Sequence, residues 1–254
     1  MMRHRIIPTL LLNNGGLYKT RKFKDPIYIG DPVNTLKIFN TKEVDEIVLL
    51  DIGLSRTKKQ PNLDLLSNLA SECFMPLSYG GGIDNIAIVK DILSIGIEKV
   101  IINSAAYRQP ELITNLSDKF GSSTIVGSID VRTSIFGGKR VYIDGGTRKI
   151  PYSPVDWAIE LERRGVGEIL INSIDKDGMQ SGYDSELIAQ VSKSVSVPVI
   201  ASGGAGSMKD IHDVVKLSGA SAAAAGSIFV FQGKHRAVLI KYPTEEESER
   251  IWGQ

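Results

Sequence analysis

The amino-acid sequence predicts a (β/α)8 barrel, the TIM-barrel fold, as one domain spanning residues 1–254. Three observations predict it: an internal repeat at half the chain length, eight short apolar segments, and helical signals between those segments. A barrel of this kind typically needs about 250 residues. A doubly wound open sheet is the alternative, but an open sheet gives no reason for a repeat at half its length.

The second half of the chain repeats the first half at a displacement of 122 residues. Residues 45–52 fall on residues 167–174, and residues 76–82 fall on residues 198–204. Repetition of this kind implies one body built from similar units. We therefore expect two half-barrels, about residues 1–123 and about residues 124–254.

Eight apolar runs are bounded by turn residues and are largely continuous rather than alternating, which is typical of parallel strands covered on both faces. In chain order, the predicted strands are 5–12, 46–53, 75–80, 99–103, 124–131, 168–173, 197–202 and 221–227. Pro32 and Pro154 mark the first turns of helices that follow the first and fifth strands, since proline is favoured at that position. Gly165 is a predicted helix stop.

Composition excludes several classes of function. Lys and Arg number 30 against 29 Asp and Glu. The net charge is therefore close to zero and gives the chain no general attraction to nucleic acid or to a membrane surface. Cys73 is the only cysteine, which excludes an intrachain disulfide and indicates a reducing compartment. The apolar run at 6–12 is too short to span a membrane, so we expect a cytoplasmic protein. The three histidines lack metal-ligand spacing, and we expect neither a metal nor a cofactor.

Glycine-rich segments follow two predicted strands at matching places in the two halves. Residues 80–82 end the third strand and residues 203–206 end the seventh, where uncovered backbone N–H groups can receive an anion. The neighbouring fourth and eighth strands end in small polar residues at 103–104 and 226–227. Because function lies at the carboxyl ends of barrel strands, these segments predict two phosphate cradles and a phosphorylated small-molecule substrate.

Motifs along the whole chain resemble the cyclase subunit of imidazole glycerol phosphate synthase. The matching segments are 5–8, 30–32, 50–52, 80–83, 102–106, 128–130, 175–178, 182–184 and 201–206. The resemblance implies a barrel that receives ammonia from a glutaminase partner of the HisH type in a heterodimer. At the barrel mouth, that family combines ammonia with a bis-phosphate ribonucleotide to give imidazole glycerol phosphate and an aminoimidazole carboxamide ribotide.

The resemblance also implies roles for particular residues. Lys19, on the loop after the first strand, would close over the substrate. One phosphate would bind the first cradle and the other phosphate the second; the residues implied are Gly82, Asn103 and Ser104 for the first, and Asp177, Gly178, Gly204, Gly226 and Ser227 for the second.

The sequence departs from the family at the chemical step. The family uses an aspartate at the end of the first strand as general base and one at the end of the fifth strand as general acid. Asp130 stands at the acid position, but Leu11 stands at the base position. Loss of a positioned acid or base lowers the rate of a step that uses it by roughly 10²–10⁴-fold. Asn172 also stands where the family usually has threonine.

Four charged residues at the opposite, amino-terminal ends of strands coincide with the ring of charges that gates ammonia entry in the family; they are Arg5, Glu46, Lys99 and Glu168. Two cations and two anions in one ring can neutralise one another, whereas a single unpaired buried charge is costly. The ring of charges at the amino-terminal end of the barrel therefore matches the family, whereas the general base of the family is absent from the mouth.

These observations leave three hypotheses. In the first, the chain conducts ammonia but has diverged toward the surface-polysaccharide relatives of the family, in which an ATP-dependent amidotransferase converts an acetamido sugar, such as a sugar nucleotide, to an acetamidino sugar. In the second, it is a conventional cyclase of histidine biosynthesis. In the third, it is a non-catalytic scaffold that activates its glutaminase.

Overall fold

The computed structural model contains a closed barrel of eight parallel strands, and it describes residues 4–57, 59–134, 137–233 and 235–253. Each strand pairs with the next, and the eighth pairs with the first from Arg5 opposite Ala222 to Pro8 opposite Ala225, which closes the barrel. In chain order the barrel strands are Arg5–Asn13, Ile47–Asp51, Leu77–Gly80, Lys99–Ile102, Ile125–Thr133, Glu168–Ser173, Val199–Ser202 and Ala222–Ala225. The predicted fold class and all eight predicted strands are confirmed.

Helices alternate with these strands. The longer ones are Pro32–Asn40, Leu63–Ser71, Ile86–Ser94, Glu111–Phe120, Pro154–Arg163, Ser185–Ser192, Met208–Lys216 and Glu245–Trp252. Both predicted proline starts are confirmed, and each is preceded by a capping side chain, Asp31 or Ser153, that accepts a backbone N–H of the first turn. Gly165 follows the fifth of these helices with φ of +102°, so the predicted helix stop is also confirmed.

Shorter strands and helices lie between the barrel strands and the longer helices along the chain. A β-hairpin, Gly16–Arg21 with Lys24–Gly30, extends the first barrel strand, and a second pair, Lys139–Ile143 with Arg148–Lys149, extends the fifth. The remaining short elements are Leu54–Thr57, Ser104–Arg108, Ser122–Thr124, Ser227–Val230, and the pair Phe231–Gln232 with Ala237–Val238. The sequence analysis did not predict them.

The hairpin after the first strand corrects one prediction. Lys19 lies in the strand Gly16–Arg21 rather than in a loop. Asn14 and Gly15 both have positive φ, 47° and 80°, and they form a two-residue turn that pairs Asn13 with Gly16. Asn-Gly favours this kind of turn because both central positions need positive φ. The chain therefore reverses at once, and the first strand continues directly into the hairpin.

The barrel strands bury apolar side chains on both faces. Along the first strand, Ile6, Leu10 and Leu12 pack outward in the main core, while Ile7 points into the barrel. The buried apolar side chains that form a cluster inside the barrel are Ile7, Val48, Ile101, Val126, Leu170, Ile200, Ala222 and Ala224. Since side chains alternate along a strand, Leu11 points to the same side as Ile7. Among the described residues, no helix combines the length and apolar character needed to cross a membrane.

Candidate functional site

A cavity of about 980 Å³ opens at the carboxyl ends of the barrel strands. It is called the mouth cavity below. Its lining includes every residue to which the family resemblance gives a catalytic or phosphate-binding position; these are Leu11, Lys19, Gly82, Asn103, Ser104, Asp130, Asp177, Gly178, Gly204, Gly226 and Ser227. The structure therefore brings all of these residues to one place, which is where barrel enzymes carry their chemistry.

The two glycine-rich turns each contain two successive glycines with positive φ. Gly81 and Gly82 have φ of 125° and 65°, and Gly203 and Gly204 have φ of 84° and 121°. A Cβ atom at Gly204 would lie 2.2 Å from the carbonyl oxygen of Gly182, so a side chain has no room there. Bare turns of this kind can present backbone N–H groups to an anion. Their phosphate binding remains a prediction.

Asp130 is a buried carboxyl group at the end of the fifth strand. Burial, with a smaller contribution from the nearby Asp177 carboxylate, raises its pKa from 3.8 to about 7, although hydrogen bonds from the Asn103 and Asn172 amides oppose the rise. The Asn103 amide nitrogen donates to Asp130 at 3.1 Å. A carboxyl group that titrates near neutral pH suits general acid catalysis.

Leu11 lines the mouth cavity, so the base position points toward the site but carries no ionisable group. Asp51, at the end of the second strand, lines the same cavity. Asp51 pairs with Leu12 of the first strand, one position beyond Leu11. Its Oδ1 accepts the Gly53 backbone N–H at 3.1 Å. Burial raises the pKa of Asp51 to about 6. Asp51 therefore shapes the adjoining turn and does not occupy the position of Leu11.

The four charged residues at the opposite end of the barrel form a closed ring of ion pairs, called the inlet ring below. Arg5 contacts both Glu46 and Glu168, and Lys99 contacts Glu168 at 2.7 Å and Glu46 at 3.5 Å. The Ser78 hydroxyl donates to Glu46 at 2.7 Å. Each cation therefore lies between two anions, which offsets the desolvation of the buried carboxylates.

Known proteins match almost the whole chain. Residues 5–236 match a family described as histidine biosynthesis protein. A Pseudomonas aeruginosa protein, provisionally named imidazole glycerol phosphate synthase subunit hisF2, is 54% identical over 243 residues, which cover 96% of this chain and 97% of that protein. The chain belongs to the HisF family.

Two further HisF relatives agree with this membership. A Leptospira interrogans protein, with the provisional name imidazole glycerol phosphate synthase subunit HisF, is 44% identical over 99% of this chain and 100% of its own length. The imidazole glycerol phosphate synthase subunit HisF of Alkaliphilus metalliredigens is 41% identical over 90% of this chain and 91% of its own length.

In this HisF chain, the hairpin after the first strand lines the mouth cavity and is hydrogen-bonded to the loop after the sixth strand. The Asp177 carboxylate accepts the Thr20 hydroxyl at 2.8 Å and the Phe23 backbone N–H at 3.2 Å. A Cβ atom at Gly178 would lie 2.0 Å from the Thr20 carbonyl oxygen, so this glycine allows the hairpin to approach. Asp177 and Gly178 thus contact the hairpin, and the phosphate role implied for them stays a prediction.

Lys19 of the HisF hairpin is buried, and its Nζ donates to the Thr9 carbonyl at 2.5 Å. Burial lowers its pKa to about 8, and the Asp177 carboxylate partly opposes this. A Cβ atom at Gly226 would lie 2.1 Å from Nζ, which places the ammonium group against the second cradle. A cation at this position complements a bound phosphate.

The sequence analysis missed Thr9 as a mouth residue. Thr9 lines the cavity and follows Arg5 and Ile7 at a spacing of two, so alternation along the first strand points it inward. Asn172, noted only as a departure from the family, also lines the cavity. In the described part of the chain, no group of three His, Cys, Asp or Glu side chains is arranged to hold a metal ion.

Proposed function

We propose that this HisF chain is the barrel subunit of a glutamine-dependent heterodimer. A HisH-type glutaminase docks on the face that carries the inlet ring, and ammonia passes through the barrel to the mouth cavity. The observation that carries this proposal is the order of three regions along the barrel: a charged inlet, an apolar interior and a wide cavity with two glycine cradles. Neutral ammonia can cross such an interior, whereas ammonium would have to shed its hydration.

We further propose that the chemistry at the mouth has diverged from cyclase turnover. Asp130 keeps the acid position, but Leu11 cannot accept a proton, and the nearby Asp51 carboxylate is engaged by the turn at Gly53. The ammonia would then serve an amidination of a surface amino sugar of the lipopolysaccharide or O-antigen type. An ATP-dependent amidotransferase would catalyse that reaction. The acetamido oxygen attacks the α-phosphate of ATP and releases pyrophosphate, and ammonia then adds to the activated carbon, from which the oxygen leaves as part of AMP. The loss of the base at Leu11, beside an inlet ring that is kept, supports an acceptor other than the ribonucleotide.

A conventional cyclase is the second candidate, and specific observations favour it. Asp130, Lys19 and both glycine turns share the mouth cavity as substrate binding and acid catalysis require. The Alkaliphilus relative also bears the plain name of imidazole glycerol phosphate synthase subunit HisF.

One assay separates the two candidates. The chain is supplied with ammonium salts and the bis-phosphate ribonucleotide of the cyclase reaction, without a glutaminase, and imidazole glycerol phosphate is measured. We expect near-background turnover, with Leu11→Asp raising it by roughly 10²–10⁴-fold because it restores the base. Leu11→Asn is the matched control, since it has the size of aspartate without its basicity. Turnover by the unaltered chain that is well above background and as fast as by Leu11→Asp would overturn the divergence and establish the conventional cyclase.

A further inference from the structure

Two side-chain oxygens at the inner end of the mouth cavity lack hydrogen-bond partners among the described residues. They are Oγ1 of Thr9 and Oδ1 of Asn172, and both atoms are buried. Thr9 is only 7% exposed, and both residues line the cavity. Buried polar atoms are normally hydrogen-bonded, so an unpaired atom facing a cavity calls for an explanation.

The orientation of the Asn172 amide follows from its neighbour. Its hydrogen bond with Asp130 favours the ionised carboxylate, so the NH₂ group of Asn172 faces Asp130 and its oxygen points elsewhere. Asn103, at the end of the fourth strand, provides a contrast. Its amide nitrogen donates to Ser128 and Asp130, and its oxygen accepts the Ser104 hydroxyl. Of these two asparagines, Asn172 alone has an amide oxygen with no hydrogen-bond partner among the described residues.

Both oxygens lie where the apolar interior gives way to polar side chains. On the first strand Thr9 follows Ile7, and on the sixth strand Asn172 follows Leu170, in each case at a spacing of two. Ile7 and Leu170 belong to the apolar lining of the barrel. A small molecule that crosses this lining therefore reaches Thr9 and Asn172 in the first polar layer of the mouth cavity.

We infer that Thr9 and Asn172 form an acceptor station that holds neutral ammonia at the exit of the barrel interior. Ammonia brings three N–H donors and leaves an interior with an apolar lining, so the two oxygens supply bonds that this lining does not. Uncharged oxygens hold ammonia without protonating it, and the nitrogen lone pair stays free for attack. This inference rests on the proposed ammonia conduction and adds the place at which ammonia waits for its acceptor.

The test is an NMR titration of the isotopically labelled full chain with ammonium chloride, at an alkaline pH where much of the ammonia is neutral. We expect a saturable shift of the Asn172 side-chain amide and carbonyl signals, with no such shift for Asn103. Thr9→Val should raise the apparent dissociation constant about threefold to tenfold, the range for loss of one neutral hydrogen bond. Asn172→Leu removes that reporter and should abolish saturable shifts at the other mouth signals.

Two controls keep the titration decisive. Trimethylamine at the same pH has no N–H group, so it should not move the Asn172 signals. Asn172→Thr keeps an acceptor oxygen and should retain saturable binding at other mouth signals, even if Asn172→Leu fails to fold. Equal responses of Asn172 and Asn103, or an equal response to trimethylamine, would overturn the station. Because no glutaminase is present, that failure would leave ammonia conduction to be judged in the heterodimer.

Discussion

Glu46 and Glu168 lie 122 residues apart and occupy equivalent corners of one ring, where each carboxylate contacts both Arg5 and Lys99. The internal repeat thus supplies both anions of the inlet ring. The cations do not follow the repeat, since Arg5 and Lys99 both belong to the first half-barrel. The symmetry of the scaffold therefore extends to the anions of the inlet ring and not to its cations.

Removal of one inlet anion should destabilise the barrel. Glu46→Gln leaves Arg5 and Lys99 sharing a single carboxylate, and it weakens the bond from Ser78. We expect a loss of about 3 kcal/mol in the free energy of unfolding, the lower end for breaking a buried pair, because both cations are partly exposed. Urea denaturation measures it. Glu246→Gln removes a solvent-exposed pair with Arg250 and should change stability by less than about 0.5 kcal/mol. Equal effects of the two variants would refute this account of the ring.

The raised pKa of Asp130 predicts a pH dependence of stability. The carboxyl group has a pKa of about 7 when folded, against 3.8 for an unperturbed aspartate, because burial disfavours its charge. Between these values the folded state binds more protons than the unfolded state, so the contribution of Asp130 is full below pH 3.8 and is lost as the pH rises to about 7. Asp130→Asn removes this titration. Denaturation from acid to neutral pH should show a shallower fall in stability for the variant, and parallel curves would contradict the shifted pKa.

The barrel strands were predictable because continuous apolar runs mark strands that are buried on both faces. The ends of the strands were harder to predict than their positions. The predicted eighth strand, 221–227, stops at Ala225 because Ser227 begins a short helix. The hairpin strand Lys24–Gly30 escaped prediction for the opposite reason. Most of its residues are exposed, so its sequence shows no pattern of buried positions. Only the turn that opens the hairpin, at Asn14 and Gly15, has a recognisable sequence.

The members of the mouth cavity were predictable from motifs, but their contacts were not. The bond between Thr20 and Asp177 joins residues 157 positions apart, and no local pattern encodes it. The unpaired oxygens of Thr9 and Asn172 likewise depend on which neighbours each side chain meets in the closed barrel. Such contacts follow from tertiary packing rather than from periodicity.

Asp177 should act as the anchor of the hairpin. Asp177→Ala removes the acceptor for the Thr20 hydroxyl and the Phe23 N–H. Hydrogen bonds to charged groups are worth about 1.5–3 kcal/mol each, so the hairpin should open more often. Hydrogen exchange should be faster at hairpin amides such as Phe23 and unchanged in the barrel strands. Asp175→Ala is the matched control, since Asp175 accepts the Thr133 N–H and does not contact the hairpin in this way. Equal protection of Phe23 in both variants would show that Asp177 is not the anchor.

The two glycine cradles should each hold one phosphate of the same ligand. Gly204→Ala places a Cβ atom 2.2 Å from the Gly182 carbonyl oxygen and strains a residue with φ of 121°, so the second cradle must distort. We expect about tenfold weaker binding of the bis-phosphate ribonucleotide by calorimetry, equal to about 1.4 kcal/mol and within the range for backbone strain. Gly96→Ala, at φ of 97° with open space around its Cβ, carries similar backbone strain outside the mouth lining and should leave affinity unchanged. Equal losses in the two variants would indicate general destabilisation rather than a damaged cradle.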